Sequence, residues 1–170
     1  EVVRDRAEDD LQRQAAGRDG LQFAFASLQE AKMFPSDAKL QRRHLVLATA
    51  AVHHHLIRLG KRSRCGLIVE TGEAREVHHI ACLIGFGAGA VNPYLALASI
   101  EAMLAEGVLT DGENAKPIDS AKATANLIKA VEKGLVKVMS KIGIATLQSY
   151  RGGQIFECIG LNPELIERYF

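Results

Sequence analysis

Apolar and polar positions divide this chain near residue 44. Before that point, EVVRDRAEDDLQRQAAGRDG carries Arg, Asp, Glu and Gln with few apolar anchors. It reads as a solvated helix broken near Gly17 and Gly20, or as an unfolded stretch. LQFAFASLQEAKMF spaces Leu21, Phe25 and Leu28 as one helix face and stops before Pro35, which predicts a short amphipathic helix. From His44 the pattern is regular. LVLATAAVHHHLIRLG predicts a helix closed by Gly60, with Arg58 in its last turn. KRSR is a polar link, and CGLIVE is an apolar run suited to a strand covered on both faces. Thr71-Gly72 predicts the start of the next helix, with Thr71 as its cap and Glu73 and Glu76 at the positive end of its dipole. That helix should end near Gly85. A very short strand at Ala90 and Val91, a turn at Asn92-Pro93 and a helix through Glu106 complete this half.

Gly107 to Ser120 scatters Gly, Asn and Pro and reads as a surface loop. Beyond it, Ala121, Ile128, Val131, Leu135, Val138 and Ile142 recur at helical spacing, with Lys122, Lys129, Glu132, Lys133 and Lys137 on other faces. Gly143 breaks that helix. IATLQSYRGGQIFECIGL predicts two short helices parted by Gly152-Gly153, and LNPELIERYF a last helix started by Asn162 with Pro163 at its first position. Alternation of helix and strand at this spacing predicts an α/β fold, a short parallel sheet flanked by helices with a mostly helical C-terminal part. Residues 1–43 are expected to be a charged segment, helical or disordered, and residues 44–170 the α/β domain.

Composition narrows the function classes. The 170 residues suffice for one domain with a core, at 48% hydrophobic and 24% charged. A net charge of +1 with no clustered basic face gives no case for nucleic acid. The longest apolar runs fall short of the ~20 residues of a membrane span. With no secretory pattern at the amino end, a cytoplasmic location is expected. Cys65, Cys82 and Cys158 are odd in number, lack Cys-x-x-Cys spacing and sit among apolar neighbours, so each reads as a packed, reduced thiol. A chain that opens on Glu1 and closes on ERYF is expected to be a fragment of something longer.

Several stretches look chemical. GFGAGA fits G-x-G-x-x-G/A through Gly85, Gly87 and Ala90, but follows a helix where a dinucleotide loop must follow a strand. Its glycines read as helix end and close backbone approach. The Thr71-Gly72 junction does lead from strand to helix, yet Glu70, Glu73 and Glu76 surround it with negative charge. His53, His54 and His55 are adjacent on a helix, so their side chains point about 100° apart and cannot jointly face one ion. His78 and His79 share that defect. One imidazole from each helix would make a composite metal site, but no carboxylate pattern supports it. SYRGGQ sets Ser149, Tyr150 and Arg151 beside two glycines, where Arg151 can hold a carboxylate or phosphate or tie the loop to another domain. Scaffold is the favoured reading throughout.

Two long motifs carry a resemblance. VHHHLIRLGKRSRCGLIVETGEAREVHHIACLIGFGAGAVNPYLAL and KGLVKVMSKIGIATLQSYRGGQIFECIGL resemble the central domain of the large subunit of glutamate synthase. The likeness runs from about Leu45 to Phe170. In that family, an N-terminal amidotransferase domain hydrolyses glutamine at its terminal Cys. Ammonia is channelled to 2-oxoglutarate, and an FMN-binding synthase barrel, fed through an iron–sulfur cluster, reduces the iminoglutarate. The resemblance implies that this chain is the scaffold joining the amidotransferase and FMN synthase domains and walling the ammonia path. It implies no catalytic, cofactor-binding or metal residue here, with FMN and the cluster bound elsewhere in the parent and a small reductase subunit as a further partner. His53, His54, His55, His78, His79, Asn92, Ser149, Tyr150 and Arg151 are then structural or interface positions.

The first forty or so residues depart from the family, which has a strand there. Its loss would leave one edge of the sheet unpaired, an aggregation hazard. Two alternatives stand beside the scaffold reading: a stand-alone interaction or regulatory module docking a partner through Ala121–Ile142, and a His-based metal hydrolase. Poor solubility is expected of a piece whose apolar surface is normally covered.

Overall fold

A computed structural model describes residues 22–26, 45–111, 116–157 and 159–169. The charged stretch before residue 22, the segment 27–44 and Cys158 lie outside the described residues.

The central strand explains the architecture. CGLIVE forms β2 (Cys65–Glu70), and Leu67, Ile68 and Val69 are all buried, so both of its faces are covered. A run with no polar position on either side has that one stable placement, inside a parallel sheet. Its neighbours are β1 (Gln22–Ala26), in register from Gln22 with Cys65 to Ala26 with Val69, and β3 (Ala90–Asn92), from Ile68 with Ala90 to Glu70 with Asn92. All pairs are parallel, in the order β1-β2-β3, so each step along the sheet needs a crossover. Helix α1 (Leu45–Arg58) lies between β1 and β2, and α2 (Val77–Gly85) between β2 and β3. Leu45 of α1 and Ile80 and Leu83 of α2 join Val69, Ala74 and Ala88 in one core cluster. The α/β fold expected from the alternation is present.

Two local expectations are corrected. The stretch QFAFA is a strand, β1, where helical spacing had been read. The sheet edge expected to stand unpaired beside β2 is therefore occupied. Likewise α2 starts at Val77, not at Thr71. Thr71 is already engaged: its N–H donates to the Asn92 carbonyl at 3.0 Å, and its hydroxyl accepts the Glu73 N–H at 2.9 Å. Ala74 is then drawn into the core, so the chain turns helical only after it. Glu76 and His79 form the capping box in place of Thr71.

The remainder is mostly helical. Helix α3 (Tyr94–Ala105) has no buried residue although only Glu101 in it is charged. The expected surface loop contains a small antiparallel pair, β4 (Thr110–Asp111) with β5 (Lys116–Pro117). Helix α4 (Ser120–Ile142) packs against α2 and α3. It closes on Gly143 at φ +80°, with the Ile144 N–H bonded to the Met139 carbonyl at 3.0 Å, a Schellman close. Helix α5 (Leu147–Tyr150) precedes the Gly152-Gly153 turn, after which no helix occurs among the described residues until α6 (Pro163–Tyr169). Of the two short helices expected around those glycines, only the first forms. Gln154 sits at φ +51° just past them, a conformation that cannot continue into a right-handed helix. Asn162 caps α6 as expected, its Oδ1 accepting the Glu164 N–H at 3.0 Å.

Candidate functional site

The chemistry-like residues converge where α1 ends, α2 ends and the Arg151-Gly152-Gly153 turn folds back. The corner is assembled from long-range hydrogen bonds. Tyr150 is fully buried and donates its hydroxyl to the Ala81 carbonyl at 2.9 Å. Burial, and then Cys82, push that hydroxyl up to about 12, so it stays protonated and donating. The Gly152 N–H donates to the Gly85 carbonyl at 2.9 Å, pinning the turn onto the end of α2. Phe156 follows, stacked on Phe86 with centroids 5.7 Å apart and edge-on to His78 at 6.4 Å.

His53 is the hub. It is 8% exposed, and its Nδ1 accepts a hydrogen bond from Arg62 Nε at 2.9 Å. The ring proton therefore resides on Nε2. Burial first, then the charges of Arg62 and His54, lower its pKa to about 4, so the imidazole is neutral at pH 7. A side chain at Gly87 or Gly152 would run into this ring, and both glycines have positive φ, at +111° and +68°. The glycines of GFGAGA thus admit a histidine: Gly87 stands against His53, and the Gly89 N–H bonds the Leu67 carbonyl at 2.7 Å in entering β3. Helix, glycine loop, strand is the order found, the reverse of a dinucleotide loop.

Arg62 ties the corner together. Besides His53, its Nη1 donates to the Cys65 carbonyl and its Nη2 to the Gly87 carbonyl, both at 2.7 Å. The sequence offered no sign of this role: KRSR reads as a polar link, and only the fold brings residues 53, 62, 65 and 87 together.

The other candidates scatter. His54 is half-buried, with a pKa lowered by burial and by Arg58, and lines the same cleft as His53; His55 is exposed. His79 is exposed, and its Nδ1 accepts the Arg75 and Glu76 N–H groups at 3.3 and 3.4 Å. Asn92 serves through its backbone carbonyl, which takes the Thr71 N–H. Ser149 is exposed and bonded to Thr146, which caps α5. The cleft itself is open, about 330 Å³, with His53, His54, Phe86, Gln154, Phe156 and Glu157 on its walls. Among the described residues no set of three or more His, Cys, Asp or Glu is placed to hold a metal ion.

Comparison with known proteins matches this chain, over residues 28–162, to the family model described as the glutamate synthase central domain. The match begins ahead of Leu45. The glutamate synthase [NADPH] large chain of Bacillus subtilis is 49% identical over 139 residues, 79% of this chain and 9% of that protein. The ferredoxin-dependent glutamate synthase 2 of Synechocystis is 49% identical over 128 residues, covering 74% of this chain and 8% of its own length. The glutamate synthase [NADH] of Saccharomyces cerevisiae is 44% identical over 126 residues, again 74% of this chain and 6% of that protein. The chain thus spans less than a tenth of the length of these relatives. On its motifs, its α/β fold and these matches, the chain belongs to the glutamate synthase central-domain family.

Proposed function

We propose that this chain is the linking scaffold of a glutamate synthase, holding an amidotransferase domain and an FMN synthase domain in place along an ammonia path. It is inert by itself, in the cytoplasm, and leaves FMN and the iron–sulfur cluster to other parts of the parent. The single observation behind this reading is how the chemistry-like residues are used. The hydrogen bonds of His53, Arg62 and Tyr150 run to one another or to backbone carbonyls. Exposed apolar side chains are spread over several elements: Leu95 and Met103 on α3, and Ile128, Val136 and Ile142 on α4. They offer surface for neighbouring domains.

The test is a pair of assays. The purified chain, given glutamine, 2-oxoglutarate and a reductant, should form no glutamate. A longer polypeptide carrying both flanking domains should form it, and should lose the coupling of glutamine hydrolysis to glutamate formation when the Gly85–Gly89 corner is disrupted. Glutamate formation by the isolated chain sinks the inert-scaffold reading. A chain of this length found free in its source would move the interaction-module reading to the front.

A further inference from the structure

Two guanidinium groups share the glycine corner, and their surroundings differ. Each nitrogen of Arg62 donates one hydrogen bond, to His53 Nδ1 and to the Cys65 and Gly87 carbonyls, all of them neutral acceptors. Arg151 is half-buried, and its Nε is shut off from solvent with no acceptor, which is true of no other side-chain nitrogen or oxygen among the described residues. Neither arginine makes an ion pair among the described residues. They are close enough that, after burial, Arg151 is the next influence lowering the pKa of Arg62. Among the described residues, two like charges are thus partly withdrawn from water with no counter-charge, an arrangement that an anion would complete.

The way in is visible. The terminal nitrogens of Arg151 are not sealed as Nε is, and Nη1 lies beside Gly89, 3.9 Å from where a Cβ would stand. Gly89 is exposed, and its missing side chain keeps that edge of the sheet open. A planar guanidinium presented by its two terminal nitrogens matches a carboxylate in bidentate geometry, which an ammonium cannot reproduce.

We propose that Arg151, backed by the charge of Arg62, is an oxyanion-binding point at the Gly89 edge of the sheet, and that its ligand is a carboxylate. The carboxylate is either a free small acid or an Asp or Glu side chain from elsewhere in a longer polypeptide. The proposal stands apart from the linking-scaffold reading and survives its failure.

The experiment is thermal unfolding of this chain in sodium malonate against sodium chloride at matched ionic strength, for the parent sequence and for Arg151→Gln. Malonate should raise the Tm of the parent by a few degrees beyond chloride, and Arg151→Gln should abolish that increment. In chloride, Arg151→Gln should unfold no lower than the parent, because it removes one of two like charges together with an unsatisfied donor. An increment that is absent in the parent, or equal in the variant, overturns the proposal, as does a variant that is less stable in chloride. If Arg151→Gln fails to fold, Arg151→Lys decides: it keeps the charge, and malonate binding should weaken at least tenfold, whereas unchanged binding overturns the bidentate site. Repeating the titration in a longer polypeptide identifies the source. A persisting increment marks a free acid; its loss, with Arg151→Gln now destabilising, marks an internal carboxylate.

Discussion

A histidine whose lone pair is already occupied is a sensor only of its own unfolding. His53 gives Nδ1 to Arg62 and holds a pKa of about 4 against 6.5 for the free side chain. The unfolded chain therefore takes up the proton first as pH falls. The stability that rests on His53 is fully present above about 6.5 and is lost as pH drops toward about 4. Denaturant midpoints measured across that window should fall with pH, and His53→Gln should flatten the slope. Tyr150→Phe leaves the Ala81 carbonyl without its donor and should cost about 1–3 kcal/mol in urea unfolding. Gly87→Ala and Gly152→Ala should each cost about 1–3 kcal/mol, since both combine a left-handed backbone with a Cβ against one ring. At this scale the sequence already showed that adjacency on a helix keeps His53, His54 and His55 from jointly facing one ion. Arg62 was not legible, since nothing local in KRSR announces a hydrogen bond nine residues back.

Secondary structure was legible wherever local pattern and tertiary demand agreed. The 23-residue α4 came out of periodicity, and the strand CGLIVE out of an unbroken apolar run. QFAFA did not: Leu21, Phe25 and Leu28 suggest a helix, but Phe23 and Phe25 also alternate, and the open side of β2 selects the strand. The α2 boundary failed for a related reason, because the Thr71 N–H is held by Asn92 from the neighbouring strand and Ala74 is drawn into the core, which delays the helix. Packing between elements also reverses an ordinary expectation. Gly134 lies in the middle of α4, where Ala is normally worth about 1 kcal/mol more. Yet a Cβ there would strike Val77 at the start of α2. Gly134→Ala should therefore lower the Tm, and pairing it with Val77→Ala should restore it; a Tm raised by Gly134→Ala alone would mean that the two helices are free to part.

For the whole molecule, α3 is the telling feature. An apolar helix with nothing buried is covered in most proteins. This chain should bind an apolar dye such as ANS while natively folded. The signal should fall in longer polypeptides that include its neighbours, and Val136→Lys, at a position 63% exposed, should reduce it without lowering the Tm of the isolated chain. The α/β fold was readable from the sequence because βαβ rhythm is local; the corner was not, because it is closed from far along the chain. That last feature has a consequence for synthesis. The Tyr150 hydroxyl reaches back 69 residues to Ala81, and Gly152 lands on Gly85 and shields His53. A ribosome delivers β2, α2 and β3 well before those residues exist. The corner must therefore wait half-finished, its histidine uncovered, so a nascent chain stalled before Tyr150 is the form most open to proteases and chaperones.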